Sequence, residues 1–137
     1  MKGGKPRAFS TVANHLMLDY LRHRVVSTLL VIEQMKCYGM PVGDDVLMTV
    51  FWSGRFAQAW RERGGSVALL PRKTVVTVLC GSARATDANV SQRLRDIYGE
   101  KGTKKNPGML YGIKGDMWSA LAIATAAREI GTLEEVE

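Results

Sequence analysis

Two short apolar runs, TLLVI at 28–32 and SVALL at 66–70, are the strand candidates of this chain, and a long segment of helical period separates them. Two strands joined by one helix make a parallel crossover, which is right-handed in nearly all sheets. A parallel pair needs neighbours at its edges and helices on both faces. Two strands are too few for such a sheet. The pattern therefore predicts an α/β layering with strands missing from its start.

The remaining elements follow from periodicity and punctuation. Ser10 or Thr11 to about His23 suits a helix, with Val12, Leu16, Tyr20 and Leu21 on one face and the hydroxyl residues as caps. Thr28–Met35 reads as a strand buried on both faces, broken by Gly39, Pro41 and Gly43. From Val42 to about Arg63, positions 46, 47, 50, 51, 54 and 57 form the inner stripe of a long helix, which Gly64-Gly65 ends. After the strand Ser66–Leu70 come a short helix over Arg72–Leu79 and another over Thr86–Tyr98. The latter carries Val90, Leu94, Ile97 and Tyr98 on one face. The segment GEKGTKKNPGMLYGIKG (99–115) is too rich in Gly, Pro and Lys to pack. Asp116 opens a last helix, MWSALAIATAAREI, apolar nearly all round.

At 137 residues the chain is expected to form one domain, 1–137, with residues 1–9 as a flexible basic N-terminus. No apolar run approaches the ~20 residues of a membrane span, and no apolar stretch follows the basic start as in a secretory signal. Cys37 and Cys80 form no disulfide framework and suit a reducing cytoplasm, with burial expected for both. The net charge of +6 gathers in two clusters. One is Lys2, Lys5, Arg7, Arg22 and Arg24; the other is Lys101, Lys104, Lys105 and Lys114. The end is acidic, with Glu129, Glu134, Glu135 and Glu137. Such clusters favour a polyanionic partner, nucleic acid first, against the plainer alternative of solubilising charge.

In an open parallel sheet, ligands gather beyond the carboxyl ends of the strands, where Glu33 lies. Brought beside Asp116 it would repel that acid unless a cation sat between them. Two hard oxygen ligands with water left over suit Mg²⁺ or Mn²⁺, metals that serve phosphodiester hydrolysis. The alternatives are a helix cap for Asp116 and an ion pair with Lys or Arg for Glu33. Arg55 is one such partner, for Glu33 or for Glu62. His15 and His23 are too far apart in sequence for a helical zinc pair, and no P-loop or Ser/His/Asp set occurs. Trp52, Trp60 and Trp118 suit core or dimer packing.

Four pieces in order, the strand ending at Glu33 with YGMPVG (38–43), WSGRF (52–56), RATDAN (84–89) and TKKNPGMLYGIKGDMWSALAIA (103–124), resemble RuvC-like Holliday-junction resolvases. More narrowly they resemble a phage and bacterial branch of that group, over about Asn14 to Arg128. The resemblance implies an RNase H-like (RuvC-type) mixed sheet flanked by helices, N-terminally truncated. It further implies Mg²⁺ or Mn²⁺ held by acids that cut DNA in recombination. Glu33 matches the acid ending the central strand and Asp116 the acid opening the last helix, as metal ligands and catalytic residues. The resolvases often show another Asp three residues on, where this chain has Ser119. Asp87 is the other acid in a matching segment and a lesser ligand candidate. The family's first acid, in an Asp-x-Gly setting on a first strand, has no counterpart before Glu33, so the resemblance implies a chain that starts after three strands.

Lys101, Lys104, Lys105 and Lys114 are the leading DNA-phosphate candidates, with Arg72, Lys73 and Arg84 as lesser ones. Branched or double-stranded DNA is the expected partner and a homodimer the expected assembly, since a symmetric junction suits a two-fold enzyme. Two further possibilities stay open: a non-catalytic DNA-binding remnant of the fold, and a small α/β interaction module whose charge is incidental.

Overall fold

The two apolar runs do pair as parallel strands. A computed structural model describes residues 4–24, 26 and 28–136, with side chains through residue 131. Lys2 of the basic start and Glu134, Glu135 and Glu137 of the acidic end lie outside the described side chains. The order is α1 (Asn14–His23), β1 (Leu30–Gln34), α2 (Asp44–Glu62), β2 (Val67–Pro71), α3 (Arg72–Cys80), α4 (Asp87–Tyr98) and α5 (Asp116–Val136). The chain divides into two compact units, Val12–Arg72 and Lys73–Glu137 with Met1–Thr11. Among the described residues no helix is long and apolar enough to cross a membrane.

In the Val12–Arg72 unit, Leu30 stands opposite Val67 and Gln34 opposite Pro71. The sheet of the described residues is this parallel pair, so the antiparallel strands of a mixed sheet are not among them. Neither strand is enclosed on both faces as expected. Leu30, Val31 and Ile32 are half-buried, Glu33 and Gln34 are exposed, and Leu69 is 43% exposed. The physical reason is a shortage of layers among the described residues: there each strand has one edge without a strand partner, and α2 packs on the pair. Trp60 anchors α2, its indole Nε1 donating to the Thr28 carbonyl at 3.3 Å. Gly65 passes so close to that indole that a Cβ there would overlap it, which explains a glycine beyond the helix end.

Two helical faces differ from expectation. α1 buries Leu18 and Leu21, whereas Leu16 and Tyr20 are exposed, so its inner face is turned from the expected stripe. Its N-cap is Ala13, which offers no side-chain bond, in place of Ser10 or Thr11. Arg63 Nη1 donates to the Leu21 carbonyl at 2.7 Å and so ties the end of α2 to α1. On α2 the buried residues are Ala57, which the expected stripe included, Ala59 and Trp60, while Leu47, Val50 and Phe51 of that stripe are exposed, as is Met48 beside them. An apolar period identifies a face; it does not say what covers it.

The Lys73–Glu137 unit is better filled. Thr86 caps α4 through a reciprocal pair with Asn89, and Gly99, at φ 93°, closes the helix. Val90, Leu94 and Tyr98 are buried as expected, whereas Ile97 of the same expected face is exposed. α4 packs on α5, whose Leu121, Ala122, Ile123, Thr125 and Ala126 are all buried, as an all-round apolar helix requires. The single hydroxyl hydrogen of Thr125 goes to the Leu121 carbonyl at 2.8 Å, so Tyr98 Oη donates in its 2.7 Å bond to Thr125 Oγ1. No buried polar side chain among the described residues is left unsatisfied.

The 99–115 segment packs after all. Leu110 and Ile113 are fully buried and root it in the unit. The expected burial of both cysteines does not hold: Cys37 is exposed and Cys80 half-buried.

Candidate functional site

Glu33 is the fourth residue of the five in β1, so its carboxylate stands at the carboxyl end of the strand. It lines a groove of about 290 Å³ between that end and α2, together with Met35, Ser53, Gly54, Arg61 and Leu69. Gly54 has nothing within 4 Å of where a Cβ would lie, so this part of the helix surface is open. Arg61 lines the same groove, yet among the described residues the Glu33 carboxylate has no hydrogen bond or ion pair. The expected pairing with Arg55 is not made. The Arg55 guanidinium instead lies over the Trp52 ring at 4.3 Å and the Phe51 ring at 5.7 Å, where ring quadrupoles attract it. Glu62 accepts from Gln58 Nε2 at 3.0 Å.

Asp116 is the first helical residue of α5 rather than its cap. The amides of Met117 and Trp118 donate to the Lys114 and Gly115 carbonyls at 3.1 and 3.2 Å. The Asp116 carboxylate is exposed and accepts no hydrogen bond among the described residues, so it is not consumed by capping. Asp87 opens α4 behind the Thr86 cap and already engages another group of the chain. Glu33 belongs to one compact unit; Asp87 and Asp116 belong to the other. Among the described residues, no three His, Cys, Asp or Glu side chains form a group able to hold a metal. Glu33 and Asp116 each offer, within their own unit, an unengaged carboxylate. A carboxylate of this kind is the hard oxygen donor that Mg²⁺ takes, one or two at a time, while keeping several waters.

Three of the lysine candidates sit on one small hairpin. Gly102 and Pro107 form an antiparallel bridge, and the Gly108 amide donates to the Lys101 carbonyl at 2.9 Å. Thr103 and Asn106 exchange backbone bonds of 3.1 Å, and the Asn106 amide also reaches Thr103 Oγ1 at 3.1 Å. Lys104 and Lys105 are therefore the tip of a closed turn, exposed and carried on a fixed backbone. Gly102 and Gly108 are required there, because a Cβ on either would run into the opposite strand of the hairpin. Lys101 and Lys114 are exposed on the same segment. Arg72 and Lys73 begin α3 and are both engaged, whereas Arg84 is exposed in the 81–86 linker.

Comparison with solved structures finds similarity to a Thermus thermophilus RuvC structure, at a TM-score of 0.63 and 23% identity. The match covers 88% of this chain and 66% of that one. The fold is RuvC-like. At this identity the likeness bears on fold alone, and the chain spans 66% of the length of the RuvC it matches. No model of a known protein family and no curated protein matches the sequence. This likeness agrees, at the level of fold, with the α/β class and RuvC-type fold that the resemblance of the motifs implied.

Sequence reasoning overlooked two features near these candidates. Arg61 on the Glu33 groove lies eight residues after Ser53, on the helix face that also bears Gly54 and Ala57. That face was legible as a face, but not as the wall of a groove. The second feature is a polar recess beside α4, taken up below.

Proposed function

We propose that this chain is a RuvC-type, divalent-metal-dependent endonuclease for branched DNA, built as one RuvC-like domain. The observation that carries this function is the RuvC-like fold over 88% of the chain. Glu33 and Asp116 would hold Mg²⁺ or Mn²⁺ through exposed carboxylates that no other described side chain occupies. When bound, such an ion supplies Lewis-acid polarisation of a phosphoryl oxygen and activation of water. The chain's own residues do the rest. Lys104 and Lys105 take phosphates on a preformed turn, Lys101 and Lys114 add charge on the same segment, and Arg84 serves as a further contact. Asp87, already engaged, is the weaker ligand candidate, and Arg72 and Lys73 are the weaker phosphate candidates for the same reason.

The hairpin has a direct test. Binding of a four-way junction by wild-type chain and by a Lys104→Ala/Lys105→Ala variant is measured across a salt series. Each lost phosphate contact lowers the log–log salt slope by about 0.9, so the double variant should lose nearly two. An unchanged slope would remove both lysines from the DNA interface.

A non-catalytic, DNA-binding form of the fold is the second function, favoured by Ser119 where the resolvases often have an acid. It keeps the salt-dependent junction binding and lacks cleavage in Mg²⁺ or Mn²⁺.

We further propose a homodimer. The exposed Leu47, Met48, Val50 and Phe51 give α2 a large apolar surface that pairing would cover. Light scattering at micromolar concentration should return twice the chain mass, and a monomer would contradict the pairing. The location consistent with this function is the cytoplasm.

A further inference from the structure

The end of α3, the 81–86 linker and one face of α4 border an open groove of about 670 Å³, whose polar lining is Ser82, Arg84, Asn89, Gln92, Arg93 and Asp96. Its size lies within the roughly 300–1,000 Å³ of ligand sites. Asn89, Gln92, Arg93 and Asp96 recur at helical spacing, so one face of α4 makes a whole wall.

The donors on this wall are arranged in advance. Arg93 Nε donates to the Leu79 carbonyl at 3.1 Å, in the last turn of α3. That bond fixes the guanidinium while its two Nη groups bond nothing else among the described residues. A guanidinium held at Nε presents a planar fork that matches two oxygens of one oxyanion. Asn89 Oδ1 is committed to the Thr86 amide and hydroxyl, each at 2.9 Å, which leaves its Nδ2 as a donor. Arg84 is exposed, and its guanidinium has no partner among the described residues. The one acid, Asp96, accepts from Gln92 Nε2 at 2.8 Å, and Gln92 Oε1 accepts from Arg95 Nη2 at 2.7 Å. Two guanidinium groups and an amide thus face a single carboxylate that is already bonded. That surplus suits a ligand of several acceptor oxygens and negative charge rather than a cation.

We propose that this groove binds a phosphate or phosphodiester group, with Arg93 as the bidentate partner and Arg84 and Asn89 as supporting donors. The group can come from a nucleic-acid strand or from a free phosphate compound. Only the first source rests on the nuclease function proposed above.

The ¹⁵N-labelled chain is titrated with inorganic phosphate and, separately, with tetrathymidylate, following the Arg93 Nε–Hε and Asn89 Nδ2 resonances. Both ligands should move these signals with saturation. Arg84→Ala and Arg93→Lys should each weaken binding about fivefold or more, since Lys keeps the charge but loses the fork. If Arg93→Lys perturbs the fold by circular dichroism, Arg84→Ala carries the test, because its side chain is exposed and unbonded. Oligonucleotide binding with unmoved groove signals overturns the groove and leaves the nuclease standing. Saturable phosphate binding with no DNA binding keeps the groove and sinks the nuclease. Equal affinity in the Arg93→Lys variant reduces the effect to bulk charge and overturns the site.

Discussion

Glu33→Gln should lower junction cleavage at least about a hundredfold while leaving junction affinity within about twofold. The substitution keeps the shape of the side chain and removes its charge, which is what a hard divalent ion requires of it. It should not act through folding. The Glu33 carboxylate is exposed and has no bonded partner among the described residues, and changes at such positions typically alter stability by less than about 0.5 kcal/mol. Asp116→Asn should behave alike for the same reason, its carboxylate being exposed and unengaged at the start of α5. Asp87→Asn should lose far less, because Asp87 already interacts with another group of the chain. Single-turnover cleavage of a labelled four-way junction in Mg²⁺ and in Mn²⁺ separates the three variants. Cleavage by Glu33→Gln equal to wild type at saturating metal would remove Glu33 from the chemistry.

The largest stability effect is expected at Leu94. This residue is fully buried on α4, one helical turn from both Val90 and Tyr98, which are buried as well. Leu94→Ala removes about three carbons from a packed interior and leaves a cavity that its neighbours fill only partly. Such changes cost about 2–5 kcal/mol. A loss of about 3 kcal/mol corresponds to a fall in melting temperature of roughly 10 °C for a chain of this size. Leu47→Ala is the control, with the same chemistry on an exposed stretch of α2, 54% accessible in the chain alone. It should cost under about 0.5 kcal/mol at concentrations where the chain is monomeric. Urea unfolding followed by circular dichroism measures both. A Leu94→Ala loss below about 1 kcal/mol would mean that the interior described for α4 is not closely packed.

The contrast between these two leucines shows what was legible in the sequence. Around Leu94 the helical period, the Thr86 cap and the closing Gly99 all agree, and the element lies within a residue of expectation. Around Leu47 the period was equally clear, but the residues that would cover the stripe are not set by local spacing. The inner face of α1 went partly wrong in the same manner: Leu21 is buried as expected, but Leu18 is buried where Leu16 and Tyr20 were expected. In the 99–115 segment, Leu110 and Ile113 were hidden by the Gly, Pro and Lys around them, since two isolated apolar residues make no period. Arg55 stacks on its own helix neighbours, a local choice between ring and carboxylate that residue types leave undecided.

The candidate acids divide along the same line. That Glu33 ends a strand and Asp116 starts a helix followed from the pattern, because each depends on a few adjacent residues. Whether they share an ion depends on long-range packing between segments in two compact units. The groove beside α4 lay beyond sequence reading for a similar reason. Arg93 is one more exposed arginine until the Leu79 carbonyl of another helix takes its Nε.

Paramagnetic broadening by Mn²⁺ tests most directly the proposal that Glu33 and Asp116 both serve as metal ligands. In the ¹⁵N-labelled chain, amides at 33–34 and at 115–117 should broaden together along one saturation curve that excess Mg²⁺ reverses. In Glu33→Gln, the broadening at 115–117 should shift to at least about tenfold higher Mn²⁺. Broadening confined to one of the two segments, or a 115–117 response unaffected by Glu33→Gln, would contradict a common metal site.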